Sequence, residues 1–301
     1  MASHLLIVNP VAGSGEGRAR ANVLVEALST EHEARAVETH ERGSATELAA
    51  ENAMDYDRII AVGGDGTLNE VLAGLMERRS GAGETAALGF LPAGTANGAC
   101  RAFDLATEPE VAAASLADPR TMLVDVGTVR HEDGERHYLI RFGAGLDAAV
   151  LEELNASRSG FMGFLGVFRN VPRIIAVMRA YDDPDIAVEV DGEFFGRGAS
   201  VVLSNVADVG LAATVDEEAD PSDGLLEVLT VPMPSKWDII RYGLRMVASS
   251  LASAPEVRKT RGRLVRLTSD GDVPCQADGE PVGRLPVEVE LTPSAVRLLL
   301  T

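Results

Sequence analysis

The chain has 301 residues and a formal net charge of −19 at pH 7. This length is enough for two packed domains, each with its own core. The negative charge argues against non-specific nucleic-acid binding and against broad attraction to an anionic membrane. The N-terminus enters an apolar run without a basic leader, which predicts a cytoplasmic protein. Cys100 and Cys275 fit no disulfide or zinc pattern and are predicted to be reduced packing residues.

Through about residue 125, short apolar runs alternate with helical patterns. In chain order the segments are "LLIVNP", "RANVLVEALSTEH", "RIIAVGGDG", "LNEVLAGLMERR", "LGFLPAGT" and "EVAAASLAD". Strands that alternate with helices predict a parallel α/β sheet with right-handed crossovers. Ligands of such sheets bind beyond the carboxyl ends of the strands.

Three glycine-bearing turns follow predicted strands and therefore fall on that edge. They read "NPVAGSG" (9–15), "GGDGTLNEV" (63–71) and "PAGTANG" (92–98). Glycine lets the backbone approach a phosphate, which free N–H groups and a helix dipole then hold. No turn has the P-loop lysine or the GxGxxG spacing. Asp65 beside a polyphosphate would need Mg²⁺ or a substrate hydroxyl between them, although Gly-Asp-Gly alone can be an ordinary turn.

From about residue 125 the pattern changes to short strands punctuated by Gly, Asp and Pro, which predicts an antiparallel sandwich or barrel. Helical inserts are expected near 148–180 and 235–252. The last segment, "VEVELTPSAVRLLLT", is expected to form a pair of strands whose end returns to the first domain. The apolar stretch 161–178 contains two arginines and a proline, so it is expected to be a packed helix or a lip that touches a bilayer, not a spanning helix.

The three glycine motifs, in this order and spacing, resemble the diacylglycerol kinase catalytic-domain family, which includes bacterial lipid kinases related to sphingosine and ceramide kinases. The resemblance continues with "FGAGLDAAV", "SNVADVG", "ADPSDGLLEVLTV" and "QADGEPV" and so spans nearly the whole chain. It implies an N-terminal Rossmann-like parallel α/β domain of the NAD kinase type (1–125, joined by strand 292–301). It also implies a C-terminal antiparallel β-sandwich lipid-substrate domain (126–291), with a nucleotide cleft between the two.

The resemblance further implies an ATP- and Mg²⁺-dependent kinase that transfers the γ-phosphate to a hydroxyl of a lipid such as diacylglycerol. Asp65 would lie near the phosphates and Mg²⁺, Glu280 would accept the proton, and Asp278 would be its close partner. By composition alone, "DGE" also fits a hairpin tip with solvated acids. The residues implied to contact the nucleotide are Asn9, Pro10, Val11, Ala12, Gly13, Thr39, Gly63, Gly64, Asp65, Gly66, Thr67, Leu68, Asn69 and Thr95.

A structural Mg²⁺ is implied on Asp220, Asp223 and the carbonyl of Leu225, although the same segment also fits a solvated acidic loop. One departure concerns Gly98, which stands where the family usually has an aspartate. This departure leaves open a weak or inactive nucleotide- and lipid-binding homologue. A kinase of a soluble substrate also stays open, because NAD kinases share a GGDGT motif and a related two-domain plan.

The remaining expectations concern partners and histidines. The implied partner is a lipid met at the membrane surface, on the inner face, with a homodimer as a further expectation and no nucleic acid. No GxSxG motif accompanies the histidines, so hydrolase chemistry is poorly supported. All five are expected at the surface: His4, His32, His40, His131 and His137.

Overall fold

The computed structural model describes residues 1–79, 85–94, 97–156, 172–174, 176–181, 184–207, 216–232, 237, 241, 245 and 252–301. The chain divides into two compact units. Unit 1 comprises Met1–Val124 with Ser294–Thr301, and unit 2 comprises Asp125–Pro293.

Unit 1 is a parallel sheet with helices between its strands. Its first strands are β1 (Ser3–Val8), β2 (Glu33–Glu38), β3 (Arg58–Gly63) and β4 (Ala87–Pro92). They are ordered β2-β1-β3-β4, and every neighbouring pair is parallel. Leu298, near the end of the long strand β16 (Val287–Leu300), pairs in parallel with Leu88 of β4. The runs β1, β3 and β4 are almost wholly buried, as expected for the central strands of a parallel sheet.

Helices connect these strands. They are α1 (Glu16–Leu28), α2 (Ser44–Asn52), α3 (Asp65–Arg79), α4 (Gly98–Ala102) and α5 (Pro109–Ala117), with a 3-10 helix at Ala12–Gly15. In α3 the residues Leu68, Val71, Leu72 and Leu75 are at most 2% exposed. Their spacing of three and four residues places them on one helix face, which the core covers. The second glycine turn is therefore held directly between a buried strand and a buried helix.

Unit 2 is built from two antiparallel sheets. Its elements are β5 (Arg120–His131), β6 (Gly134–Tyr138), β7 (Arg141–Ala144), α6 (Leu146–Ala156), β8 (Ile186–Val190), β9 (Glu193–Gly198), β10 (Ser200–Ser204), β11 (Leu226–Val231), β12 (Arg258–Gly262), β13 (Leu264–Thr268), β14 (Pro274–Ala277) and β15 (Glu280–Arg284). One sheet continues from β16 through β13 and β8 to β9, and β5 pairs with β16 and β6. The other has the order β12-β11-β10-β7-β14-β15.

The core of unit 2 lies between these sheets. Val188 and Val265 of one sheet and Phe142 and Val201 of the other belong to a single cluster of buried side chains. Burial of both inner faces is what makes a sandwich stable. The predicted fold class, a parallel α/β domain followed by an antiparallel β-sandwich, is confirmed.

Two expectations about local structure were wrong. The C-terminal segment forms one strand, β16, and not a pair, and the left-handed conformation of Ser294 (φ 48°) does not end it. His4 is fully buried and not at the surface, since β1 lies between β2 and β3 inside the sheet.

The stretch 161–178 lies mostly outside the described residues, where 172–174 and 176–178 are helical, and of the insert at 235–252 the helical residues 237, 241 and 245 are described. In the described part of the chain, no helix has the length and apolar character needed to cross a membrane.

Candidate active site

The three glycine turns of unit 1 meet at one edge of the parallel sheet. The N–H of Asn9, after β1, donates to the carbonyl of Val62 in β3 (2.9 Å), and the N–H of Ala93, after β4, donates to the carbonyl of Gly63 (2.7 Å). The side-chain amide of Asn9 also donates to the hydroxyl of Thr67 (3.2 Å). Each turn is thus hydrogen-bonded to the next. They form one continuous surface at the carboxyl ends of the strands.

Clearance around the glycines shows where this surface is tight and where it is open. A side chain at Gly13 would overlap the carbonyl oxygen of Ala93, and a Cβ on Gly94 would lie 2.6 Å from the Cα of Gly64. A Cβ on Gly64, in contrast, would have its nearest neighbour at 3.6 Å, the Cα of Gly94. Gly13 and Gly94 are therefore required for packing. Among the described residues, nothing else comes within 4 Å of the Cβ position of Gly64, so a ligand can lie beside it.

Helix α3 begins at this space. The N–H groups of Thr67 and Leu68 donate to the carbonyl of Gly64, so the helix dipole is positive at the second glycine turn. The carboxylate of Asp65 accepts the N–H of Ala99, in the first turn of α4 (3.1 Å). The buried side-chain amide nitrogen of Asn69 has no acceptor among the described residues. Open glycine backbone, a helix N-terminus and an amide donor fit the phosphates of a nucleotide.

The other predicted nucleotide contacts divide into several groups. Thr39 reaches the same edge, where its N–H donates to the carbonyl of Val8 (2.9 Å). The side chain of Leu68 is 2% exposed and belongs to the core, whereas Val11 is 78% exposed. Thr95 lies outside the described residues. Pro10, Ala12 and Gly66 lie within the first and second turns.

The predicted catalytic carboxylates of unit 2 belong to a tight hairpin. Asp278 and Gly279, both with positive φ (49° and 82°), form the turn between β14 and β15. Asp278 therefore does not share a strand face with Glu280. Its carboxylate accepts three consecutive backbone N–H groups from Leu139–Arg141, at 2.8, 2.9 and 2.9 Å. Glu280 instead forms an ion pair with Arg136 of β6 (2.7 Å).

Sequence reasoning did not identify Asn205, which lies in the "SNVADVG" motif. The residue is fully buried, and its side-chain amide donates to the carbonyls of Asp125 (2.9 Å) and Leu139 (2.8 Å). Its backbone N–H donates to the carbonyl of Ile140 (2.9 Å). Asp125, buried as well, accepts the N–H of Gly224 (2.6 Å). The signal available in the sequence was a polar pair, Ser-Asn, directly after an apolar strand.

Gln276 was also not identified, although it stands two residues before Asp278. It is 1% exposed. Its amide oxygen accepts the N–H of Gly279 (2.9 Å), and its amide nitrogen donates to the carboxylate of Asp147 (3.0 Å). A glutamine can make both bonds because it carries an acceptor and a donor at one end. The turn is therefore held at two places: Gln276 binds Gly279, and the backbone of Leu139–Arg141 binds Asp278.

The residues predicted to hold a structural Mg²⁺ are already engaged within the chain. The carboxylate of Asp223 accepts the N–H of Leu225 (2.9 Å) and forms an ion pair with Arg261. One carboxylate oxygen of Asp220 accepts both the N–H and the hydroxyl of Ser222 (2.9 and 2.7 Å). Among the described residues, no group of three or more His, Cys, Asp or Glu side chains could hold a metal ion. A structural Mg²⁺ on Asp220, Asp223 and the carbonyl of Leu225 remains a prediction.

Comparison with known protein families identifies the class of protein to which the chain belongs. Residues 3–129 match the family model "Diacylglycerol kinase catalytic domain", and residues 141–300 match "YegS C-terminal NAD kinase beta sandwich-like domain". The second match covers more than half of the chain. The chain belongs to the diacylglycerol kinase catalytic-domain family of lipid kinases.

Similar proteins agree with this assignment. A "lipid kinase YegS-like" protein of Stenotrophomonas maltophilia is 30% identical over 271 residues, covering 87% of this chain and 85% of that protein. A diacylglycerol kinase of Staphylococcus haemolyticus is 29% identical over 294 residues, with 93% and 83% covered. A crystal structure of a diacylglycerol kinase from Bacillus anthracis has the same fold, with a TM-score of 0.75, 19% identity, and 100% and 97% of the two chains covered.

Proposed function

We propose that the protein is an ATP- and Mg²⁺-dependent lipid kinase that phosphorylates a hydroxyl of a lipid such as diacylglycerol. In this proposal, unit 1 is the nucleotide-binding domain and unit 2 is the lipid-substrate domain. The observation that carries it is the meeting of three glycine turns at one sheet edge, with open space beside Gly64 at the start of α3. Family membership then selects a phosphate-transferring enzyme with a lipid acceptor.

The chemistry required of the protein is modest. The lipid hydroxyl oxygen bonds to the γ-phosphorus, the bond from that phosphorus to the bridging oxygen of ADP breaks, and the hydroxyl proton passes to Glu280. Phosphoryl transfer depends mainly on positioning and on neutralising charge. Backbone N–H groups at the glycine turns and the N-terminus of α3 would hold the phosphates. Mg²⁺ bound to ATP would neutralise phosphate charge, and Asp65, within the second glycine turn, would be its protein ligand.

The direct experiment supplies the purified protein with labelled ATP, Mg²⁺ and a panel of lipids. The panel contains diacylglycerol, phosphatidylglycerol, a sphingoid base and a total bacterial lipid extract, and products are separated by chromatography. A labelled lipid product, with NAD not labelled in a parallel reaction, supports the proposal. Labelling of NAD alone would indicate the soluble-substrate alternative.

A second candidate, nucleotide binding without transfer, is favoured by Gly98. The family's usual carboxylate is missing there, and Asp65 already accepts a hydrogen bond from the neighbouring Ala99. We expect Gly98→Asp to raise turnover if the missing acid limits the enzyme. ATP binding by calorimetry with no labelled lipid, in both the wild type and Gly98→Asp, would favour the binding protein. A lipid substrate also predicts contact with the membrane surface, and a homodimer remains a prediction.

A further inference from the structure

The segment Leu139–Arg141 in unit 2 is bonded along both of its polar sides. On one side, its three N–H groups donate to the single carboxylate of Asp278. On the other, the carbonyls of Leu139 and Ile140 accept the side-chain amide and the backbone N–H of Asn205. Asn205 is fully buried, and the Asp278 contacts are partly buried. Few conformations of this segment can satisfy both partners.

This segment joins the two strands that determine where Glu280 lies. It follows β6, which carries Arg136, the ion-pair partner of Glu280. It ends at Arg141, the first residue of β7, and the next residue of that strand, Phe142, pairs with Ala277 at the base of the Glu280 hairpin. Movement of the segment would therefore shift Glu280 relative to Arg136.

We propose that Asp278 and Asn205 are positioning residues that clamp Leu139–Arg141 and thereby orient Glu280. This rests on the proposed function, in which Glu280 accepts the proton. It differs from the prediction that Asp278 is itself catalytic, because its carboxylate is engaged by three backbone donors. Misplacement of a reacting group by about 1 Å can cost about 10²-fold in rate, so such a clamp has a measurable effect.

The main test is Asp278→Asn. Asparagine tolerates the left-handed conformation of this turn, so the hairpin should persist. It retains one acceptor oxygen for Ile140 and Arg141 but places an amide beside the N–H of Leu139. We expect turnover to fall by about 10- to 100-fold, with little change in KM for ATP. The matched control is Asp191→Asn, in a second Asp-Gly turn (φ 51°) where one carboxylate oxygen accepts both neighbouring N–H groups. It should leave turnover unchanged.

The double variant Asp278→Asn with Glu280→Gln tests whether Asp278 acts through Glu280. If Asp278 acts through Glu280, the double variant should be no slower than Glu280→Gln alone. Multiplied losses, or normal turnover in Asp278→Asn, would overturn the proposal. Asn205→Asp removes the side-chain donor to the carbonyl of Leu139 and keeps the backbone N–H that donates to Ile140. It should show the same dependence on Glu280, and Asn205→Ser replaces it if the aspartate variant does not fold.

Hydrogen exchange distinguishes failure of the clamp from failure of the proposed function. The peptide that contains Leu139–Arg141 should be protected in the wild type and should exchange faster in Asp278→Asn but not in Asp191→Asn. Unprotected amides in the wild type would overturn the clamp whatever the activity. Normal protection with no phosphorylated lipid in any variant would overturn the proposed function, and with it the positioning of a base.

Discussion

Three hairpins of unit 2 carry the sequence Asp-Gly-Glu, at residues 133–135, 191–193 and 278–280, and the last two share one turn geometry. Asp191 and Asp278 both adopt a left-handed conformation, with φ of 51° and 49°. Each carboxylate accepts backbone N–H groups at the start of a neighbouring strand, β13 for Asp191 and β7 for Asp278. The aspartates thus serve the same structural purpose, which is to fasten a turn to the next strand.

The glutamates that follow differ in their surroundings. Glu193 is exposed, whereas the side chain of Glu280 is 33% exposed and forms an ion pair with Arg136. Beneath the second turn, the buried Gln276 holds Gly279, while the residue at the same place before the first turn, Glu189, pairs with an arginine near the surface. Two copies of a short motif therefore form the same turn, and the residues around each turn determine whether its glutamate can have a function.

Glu280→Gln should have the largest effect, because it retains the shape and removes the basicity of the proposed proton acceptor. Turnover of lipid should fall by about 10²–10⁴-fold, with ATP affinity nearly unchanged. The control is Glu193→Gln, in the equivalent turn, which should behave as the wild type. Equal effects of the two variants would mean that the surroundings do not distinguish the two turns.

The same contrast between surroundings applies to two histidines. Burial, together with the charge of Arg58, lowers the pKa of His4 to about 4. The unfolded chain takes up this proton near pH 6.5 and the folded chain only near pH 4, so stability should fall as the pH drops through that interval, by ~3 kcal/mol from this residue. His4→Leu should flatten the pH dependence of Tm there. His40→Leu, at an exposed position, should not.

The variant Gly64→Val tests whether the space beside Gly64 in unit 1 holds phosphate. The backbone of Gly64 does not have a positive φ, and its Cβ position has room, so the fold should persist. The valine side chain would occupy the space of the phosphate and separate it from the backbone N–H groups. Loss of a hydrogen bond to a charged phosphate costs about 1.5–3 kcal/mol, so ATP should bind about 10- to 100-fold more weakly by calorimetry. Gly271→Val, whose nearest neighbour would lie at 3.7 Å in unit 2, is the control. Normal ATP binding by Gly64→Val would place the nucleotide elsewhere.

Arg136→Gln sharpens the comparison, because Arg136 is what distinguishes Glu280 from Glu193. Loss of one charged hydrogen bond, about 1.5 kcal/mol, predicts roughly tenfold lower kcat with unchanged KM for ATP. Arg136→Lys should recover part of the loss. Arg197→Gln removes an exposed ion pair with Asp185 and should have no effect. A change confined to KM for ATP would contradict the role of Arg136 in holding Glu280.

Much of unit 1 could be predicted from local patterns. Buried strands such as Arg58–Gly63 read as apolar runs, and glycine turns follow them. Because parallel strands present their carboxyl ends at one edge, three turns predicted separately had to lie on the same side of the sheet. The order of the motifs was also sufficient to indicate the family and the sandwich fold of unit 2.

The environment of each side chain was decided by tertiary structure. Arg136 and Glu280 are 144 residues apart in the chain, and Asn205 and Asp125 are 80 apart. Periodicity indicates that a segment is a strand, but it does not say which strand lies beside it or in what register. For that reason the sequence could present Asp278 and Glu280 as a carboxylate pair. Only the folded chain directs one to backbone N–H groups and the other to an arginine.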